Sequence, residues 1–514
     1  MHVLIFHDPI VSPLKSNVGG YNSNLPDPSV RRPSILDKHF PTMTKRKILL
    51  ILVLGFCHLV FAGPAAGCAY ASNRRGDKPN ILIVLTDDQP FHSIEHMPAV
   101  QEELVRKGVL FENAYVTTSL CCPSRVSLLT GQYVHHHGVL TNRAPLGGAT
   151  VFDDSSTLPV WLQQAGYRTA LFGKYLNEYN SMPEGYIPPG WDEWAAFVST
   201  EPGKYFYFGY SLNENGTIVQ YGSAQEAYST DHLKEKAVDF IKANSAEPFF
   251  LMLNVISPHQ PYYPAARHAN LFKSYTNEFT PYRPPNFFEE DLTDKPSWWS
   301  DLDPPTPDHA EGIYQRILRS LMSTDEAVAD LVDTLEKEGI RENTFILFTS
   351  DNGMSLGNHQ FIGKGCPYDE CMRVPYVISY PERIRASRTD SNFVLNIDIA
   401  PTLLELAGAK EVEQIDGVSL LPLLDDPTMR IRDGFLFEQY GEDDDGESLD
   451  ITMQVPSYTG FRTNAWNLVL YETGERELYD LLSDPFEMSN LAADSEYSEI
   501  VQELTGRIRE IRPE

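Results

Sequence analysis

Three stretches of the chain are apolar almost throughout and stop abruptly on polar residues of a restricted kind. Asn80-Ile-Leu-Ile-Val-Leu-Thr86 runs into Asp87-Asp88, Phe249–Ile256 into Ser257-Pro258-His259, and Phe345–Thr349 into Ser350-Asp351-Asn352-Gly353. Apolar runs without alternation predict strands of a parallel sheet that is buried on both faces. A shorter run, Tyr167 to Phe172, predicts a fourth strand and leads into Gly173-Lys174-Tyr175. Open α/β sheets bind ligands beyond the carboxyl ends of their strands. All four runs therefore deliver candidate functional side chains to one edge.

Helical patterns fall between and after these runs. Ser156 and Thr157 can cap a helix with Pro159 in its first turn, Leu158, Trp161, Leu162 and Ala165 on one face, and Gly166 as its stop. Ser323-Thr-Asp-Glu326 reads as a capping box opening a helix that packs through Ala327, Val328, Leu331, Val332 and Leu335. Asp398–Gly408 predicts a further helix with a glycine stop. Ile500, Leu504 and Ile508 recur at helical spacing near the end of the chain. After about Asp425 the pattern changes to short strand-like runs and turns. The expected organisation is a large α/β domain over 77–424 and a smaller α+β subdomain with an antiparallel sheet over 425–514. From Pro258 to Pro307 there are ten prolines and the aromatics Tyr262, Tyr263, Trp298 and Trp299. So long a loop inside a compact domain is usually functional, and it is read as an exposed rim over the site.

Length and composition fit this picture: 514 residues, 42% of them apolar, suffice for a large core and a second unit. The formal net charge of -30 repels nucleic acid and anionic membranes. An anionic substrate must then be drawn by a local cationic site, not by an extended basic face. Residues 1–42, rich in Pro, Ser and Asn, read as disordered. From Met43, Lys45-Arg46-Lys47 and an apolar run from Ile48 to Ala62 have the layout of a secretory signal peptide over 43–66. That run is short for a membrane span, so no transmembrane segment is expected in the mature chain. Export follows, to a secreted, periplasmic or lysosome-like compartment. Ala66-Gly67-Cys68 resembles a lipid-anchor site, although Ala65 stands where leucine is usual. Cysteine is too sparse for a disulfide framework, and spacing alone leaves open whether Cys366 and Cys371 pair. Glu442-Asp443-Asp444-Asp445 reads as a solvated loop.

The candidate chemistry centres on Cys121-Cys122-Pro123-Ser124-Arg125, followed by Thr130-Gly131. Pro123 fits the first turn of a helix, which sets Cys121 at a helix N-terminus, where free N–H groups favour an anion. Arg125, one turn on, can grip the same anion. A buried cysteine pair with a helix cap would look the same from these five residues. Likewise each acidic pair alone reads as an Asx-type turn after a strand. Asp87, Asp88, Asp351 and Asn352 together offer an all-oxygen set suited to Ca²⁺ or Mg²⁺.

Cys-x-Pro-Ser-Arg with Thr-Gly downstream resembles the signature of the type I sulfatases of the alkaline phosphatase superfamily. The resemblance implies a three-layer α/β sandwich with a mixed, largely parallel central sheet and a smaller C-terminal α+β subdomain. It implies that Cys121 is oxidised to formylglycine by a formylglycine-generating enzyme during export. The hydrate of that aldehyde offers two hydroxyls on one carbon, one to attack sulfur and one to expel the sulfate afterwards. It assigns Asp87, Asp88, Asp351 and Asn352 to a divalent cation, usually Ca²⁺, with Mg²⁺ the alternative. Arg125, Lys174 and Lys364 fall to the sulfate, and His259 to the leaving oxygen. Many sulfatases carry a histidine two residues after the first lysine, where this chain has Leu176 and then Asn177. Asn177, or His137 from His135-His136-His137, is the candidate replacement, with the other two histidines on the surface. Lys174-Tyr-Leu-Asn-Glu-Tyr179 and Pro188-Pro-Gly-Trp191 are similar to the N-acetylglucosamine-6-sulfatase branch, which implies a sulfated carbohydrate or aryl sulfate as substrate. Two rivals stand beside this reading: a phosphodiesterase or phosphonate monoester hydrolase of the same superfamily, and a non-catalytic sulfoglycan-binding homologue.

Overall fold

The computed structural model describes residues 78–513, apart from 202, 274–281, 303–304, 411, 413 and 442–454. The signal peptide, Cys68 and the Glu442–Asp445 loop of the sequence reading lie outside the described residues. The four apolar runs are strands of one ten-stranded sheet: β1 (Asn80–Thr86), β3 (Arg168–Gly173), β7 (Phe249–Asn254) and β8 (Thr344–Ser350). The others are β2 (Val109–Tyr115), β4 (Glu193–Thr200), β5 (Tyr210–Glu214), β6 (Thr217–Gln220), β11 (Tyr376–Ser379) and β12 (Arg388–Leu395); a separate hairpin pairs β9 (Ser355–Leu356) with β10 (Ile362–Gly363). The order is β12-β2-β11-β8-β1-β7-β3-β4-β5-β6. Strands β8, β1, β7, β3 and β4 are mutually parallel, whereas β11, β5 and β6 run against their neighbours.

Every residue of β1 is buried, and its side chains divide between two cores. Leu82 and Val84 join a core with the helices Ser229–Asn244 and Pro307–Lys337. Ile81, Ile83 and Leu85 join another with Cys121–Thr130, Leu158–Gln164 and Ile399–Ala407. Helices thus cover both faces, which is why these strands show no polar alternation. Each fully buried Leu or Ile contributes about 1.5–3 kcal/mol. Beyond the sheet, β13 (Gly434–Gln439), β14 (Tyr458–Thr463), β15 (Trp466–Tyr471) and β16 (Arg476–Asp480) form an antiparallel sheet. The last helix, Ser498–Ile511, joins the core beneath it through Val501, Leu504 and Ile508.

Two expectations are corrected. Ser323 does not open a helix, because it lies inside Pro307–Lys337. That helix starts where Thr306 Oγ1 accepts from the His309 amide and Pro307 takes a position needing no donor. Asp325, of the supposed capping box, instead accepts from the amides of Ala99 and Val100 and so caps the helix Pro98–Glu103. Trp298 and Trp299 are not exposed: they stack on each other at 4.4 Å, meet Phe361 and belong to the core of the four-stranded sheet. Tyr262 is also buried, and Tyr263 alone of the four aromatics is exposed. Cys366 and Cys371 form a disulfide.

Candidate active site

Parallel neighbours in a sheet end side by side, so the residues that follow β8, β1, β7 and β3 meet at one edge. Asp87-Asp88 and Asp351-Asn352 follow adjacent strands, with His259 beyond β7 and Lys174 beyond β3. Asp88 adopts a left-handed conformation at φ 64°. Aspartate is one of the few side chains enriched there, and the turn lets the Asp88 amide donate to Asp351 Oδ1 at 3.1 Å. The helix Cys121–Thr130 meets this edge with Cys121 in its first turn and all ten of its residues buried. Its Ser124 hydroxyl donates to the Asp351 carbonyl and accepts from Asn396 Nδ2. These bonds fix the helix start against the end of β8. Lys364 follows β10 directly.

The side chains interlock as ion pairs. Lys174 Nζ lies 2.5 Å from Asp87 Oδ2, and Arg125 Nη2 lies 3.5 Å from the same oxygen. Arg125 Nε donates to Asp351 Oδ2 at 2.8 Å. Lys364 Nζ donates to Asp88 Oδ1 at 2.8 Å and stands 2.9 Å from Cys121 Sγ. His259 Nε2 is 3.6 Å from Asp88 Oδ2, while its Nδ1 faces the Gln260 carbonyl at 2.8 Å. Cys121 Sγ sits 3.7 Å from Asp87 Oδ1 and 3.9 Å from Asp88 Oδ1. Burial alone would raise both aspartates, but nearby cations outweigh it: chiefly Lys174, His259 and Arg125 hold Asp87 below its ordinary value, and Lys364 and His259 do so for Asp88. Burial pushes the Cys121 thiol well up, against the pull of Lys174 and Lys364.

The donor set fits a hard dication. Oxygens of Asp87 and Asp351 lie within 4.8 Å of each other and of Cys121 Sγ, and Asp87, Asp88 and His259 form a second such group. Asn352 Oδ1 is buried without a hydrogen-bond partner, although its Nδ2 donates to Asp88 Oδ1 at 2.8 Å. Leaving a buried carbonyl oxygen unpaired costs about 1–3 kcal/mol, and coordination to a cation removes that cost.

Of the two substitutes considered for the missing histidine, Asn177 shares a cleft with site residues. It lines a cleft of ≈ 420 Å³ together with Lys174, Glu178, Phe206 and His259, and its Oδ1 is buried and unpaired. His137 instead faces Ser127 Oγ at 3.0 Å, along the helix from Cys121. Burial and its histidine neighbours depress it to about 3. His135 is not a surface residue: its Nδ1 pairs with the buried Glu438 at 2.7 Å, while the exposed His136 pairs with Asp416. Cys122 is fully buried and its amide donates to Asn142 Oδ1. Sequence reasoning missed Asn396, whose hold on Ser124 crosses 272 positions and leaves no local signal.

Beside this geometry, the sequence of the chain matches known families over most of the described residues. Residues 79–409 match the sulfatase family model, and 357–514 match the N-sulphoglucosamine sulphohydrolase C-terminal model. The chain belongs to the sulfatase family and is a sulfuric ester hydrolase. It is 34% identical over 502 residues to an arylsulfatase of Volvox carteri, covering 86% of this chain and 74% of that one. It is 32% identical over 499 residues to the N-acetylglucosamine-6-sulfatase of Homo sapiens, covering 88% and 86%. The extracellular sulfatase SULF-1 homologue of Drosophila melanogaster is 35% identical over 398 residues, 74% of this chain, which spans only 34% of that protein. A solved structure described as in complex with its substrate D-glucosamine-2-N,6-O-disulfate superposes with a TM-score of 0.70 at 26% identity, covering 84% of this chain and 97% of that one. The fold is the mixed, largely parallel sandwich with a separate small antiparallel sheet that the resemblance implied.

Proposed function

We propose that the chain hydrolyses the sulfate monoester of a sugar in the manner of an N-acetylglucosamine-6-sulfatase, with Cys121 matured to formylglycine and with a divalent cation on Asp87, Asp88, Asp351 and Asn352. The observation that carries the reading is Cys121 at a helix start, 2.9 Å from Lys364 and facing Asp87 and Asp88. When present, the formylglycine hydrate supplies the hydroxyl that attacks sulfur, and Ca²⁺ or Mg²⁺ supplies positive charge for the sulfate oxygens. The protein's own part is electrostatic. Lys364 stands at Cys121 Sγ, and Lys174 is held on Asp87, which itself lies 3.7 Å from that sulfur, so both can bind sulfate oxygens and stabilise the charge that develops there. Arg125 ties Asp351 and Asp87 together and holds the carboxylates in place. His259, with Nδ1 fixed on the Gln260 carbonyl, aims Nε2 into the site, where a proton on Nε2 can pass to the departing sugar oxygen. Asn177 is the proposed partner for the second hydroxyl of the hydrate, because its unpaired Oδ1 lies in the adjoining cleft.

Relatives named as extracellular support export, and among the described residues no helix is long and apolar enough to cross a membrane. A formylglycine-generating enzyme is the partner this maturation requires. The test is turnover by protein co-expressed with that enzyme, assayed in parallel on N-acetylglucosamine 6-sulfate, an aryl sulfate and matched phosphate esters. Sulfate release with little phosphate release is expected. The reverse preference would transfer the chain to the phosphodiesterase or phosphonate hydrolase reading.

A further inference from the structure

A second cleft, of ≈ 760 Å³, meets the site at Asp88, Gly363 and Lys364. One wall is the segment Gln260–Pro264, and Lys273 stands at its edge. The facing wall is one side of the helix Pro307–Lys337, which presents His309, Ile313, Arg316 and Arg319. Positions spaced by three and four fall on one helical face, so the cations are displayed together.

In a chain with a net charge of -30, the usual fate of an arginine is to be paired. Arg267 shows it: its guanidinium is held by Asp231 at 2.6–2.7 Å and by Glu326. The cleft cations are different. Arg316 lies over the Tyr262 ring at 5.6 Å, and its Nε is buried with no hydrogen-bond partner. Among the described residues, Arg319 reaches the Leu271 carbonyl, at 3.4 Å, and Lys273 Nζ reaches Asn270 Oδ1. Among the described residues, no carboxylate pairs with Arg316, Arg319 or Lys273. Burial and the neighbouring Arg316 charge also depress Arg319, as expected of two like charges with no anion between them.

Resting on the sulfatase reading, we infer that Arg316 and Arg319, assisted by Lys273, bind a second oxyanion of the substrate while the scissile sulfate lies at Cys121. The preferred substrate is then a sugar carrying two anionic groups. The second is a further sulfate on the same residue or the carboxylate of an adjoining uronic acid. A guanidinium fork matches either group.

The experiment compares N-acetylglucosamine 6-sulfate, glucosamine 2-N,6-O-disulfate, a uronate-linked glucosamine 6-sulfate disaccharide and 4-nitrophenyl sulfate. Wild-type protein, Arg316→Ala, Arg319→Ala, the double variant and Arg316→Gln are assayed alongside thermal melts. The expected result is a preference of the wild type for one doubly anionic substrate, and which of the two it prefers identifies the second anion. The double variant should lose ~10- to 100-fold of that preference, mainly through KM, as expected for bonds to a charged group. An unchanged preference in a folded double variant, or an equal loss on all four substrates, overturns the inference. If the wild type turns over no sulfate ester, the sulfatase reading fails by itself, and calorimetry on Cys121→Ala protein still decides the inference. Tighter binding of the doubly anionic sugar must then disappear when Arg316 and Arg319 are also replaced.

Discussion

Around Cys121, Asp87 and Asp88 are buried beside Lys174, Arg125 and Lys364; beneath the four-stranded sheet, Glu477 is just as buried among neutral hydroxyls. Tyr368 and Tyr479 donate to Glu477 Oε1, and Tyr471 donates to Oε2, so both oxygens are satisfied. Burial nonetheless raises that carboxyl, with the hydroxyls pulling the other way. At the active-site edge burial is outweighed by cations, and the aspartates are depressed. There, too, the Oδ1 atoms of Asn352 and Asn177 are left unpaired. Burial by itself therefore does not mark a working site. What sets the edge apart is that its crowded charges lie where parallel strands end and border clefts, one lined by Asp88 and Lys364 and another by Lys174 and His259.

The sharpest way to break this contrast lies at the two adjacent cysteines. Cys121 faces the carboxylates and Lys364, whereas Cys122 is a small thiol in the helix-side core. Cys121→Ser should lose about 10³-fold or more in turnover, the scale for a removed nucleophile. Cys122→Ser should keep most of its activity. Mass spectrometry of the matured protein should find the aldehyde at Cys121 alone, and an aldehyde at Cys122 would reverse the assignment.

Next in size is the metal set. Asp351→Ala should remain folded and lose ~10²–10³-fold in turnover, the range for one missing electrostatic partner. Chelators should inhibit the wild type, with recovery on adding Ca²⁺ or Mg²⁺. By contrast, Tyr368→Phe, at the Glu477 cluster, should weaken the fold by about 1–3 kcal/mol and leave kcat intact. Full activity in Asp351→Ala would remove the proposed metal site.

How much of this contrast was legible beforehand depends on range along the chain. The strands that carry the site were legible because β1, β7 and β8 are buried on both faces and must be apolar at every position. Their polar ends stood out against that background. The Cys121 motif was legible because its register is local. What could not be read was set by partners far away in sequence. Ser323-Thr-Asp-Glu326 has the form of a cap, yet Asp325 caps the helix Pro98–Glu103, some 225 positions away. Trp298 and Trp299 looked like rim residues because their burial depends on Phe361 and on a sheet formed much later in the chain. The arginine pair of the second cleft shares its helix with ordinary surface residues, and only the fold shows that it has no carboxylate partner among the described residues.

A smaller effect separates two roles within the site itself. If His259 donates the proton to the leaving oxygen, His259→Ala should lose ~10²-fold on sugar sulfates, whose alkoxide leaves poorly. On activated aryl sulfates the loss should stay below about 10-fold. Equal losses on both substrates would make His259 a sulfate-binding group instead.

The smallest expected effect tests the structural side of the comparison, through the pH dependence of stability. Glu487 is buried beside the Glu477 cluster, where Asn467 Nδ2 donates to its Oε1 at 2.6 Å and Arg462 Nη1 lies 3.9 Å away. Burial, and then the charge of Asp369, push its carboxyl from 4.5 up to about 8, against the pull of Arg462. The folded protein therefore binds this proton more tightly than the unfolded chain does. Its contribution is complete below about pH 4.5 and is lost as pH rises toward 8. Asp87 and Asp88, depressed below 3.8, act in the opposite sense and lose their contribution only as pH falls through the acid range. Glu487→Gln keeps the shape and most hydrogen bonds but cannot ionise. Unfolding free energies from urea titrations between pH 5 and 8 should fall for the wild type and fall less for Glu487→Gln, by a difference of about 1–3 kcal/mol at the upper end. Parallel pH slopes in the two proteins would show that Glu487 is already ionised in the fold, with Arg462 rather than burial in control.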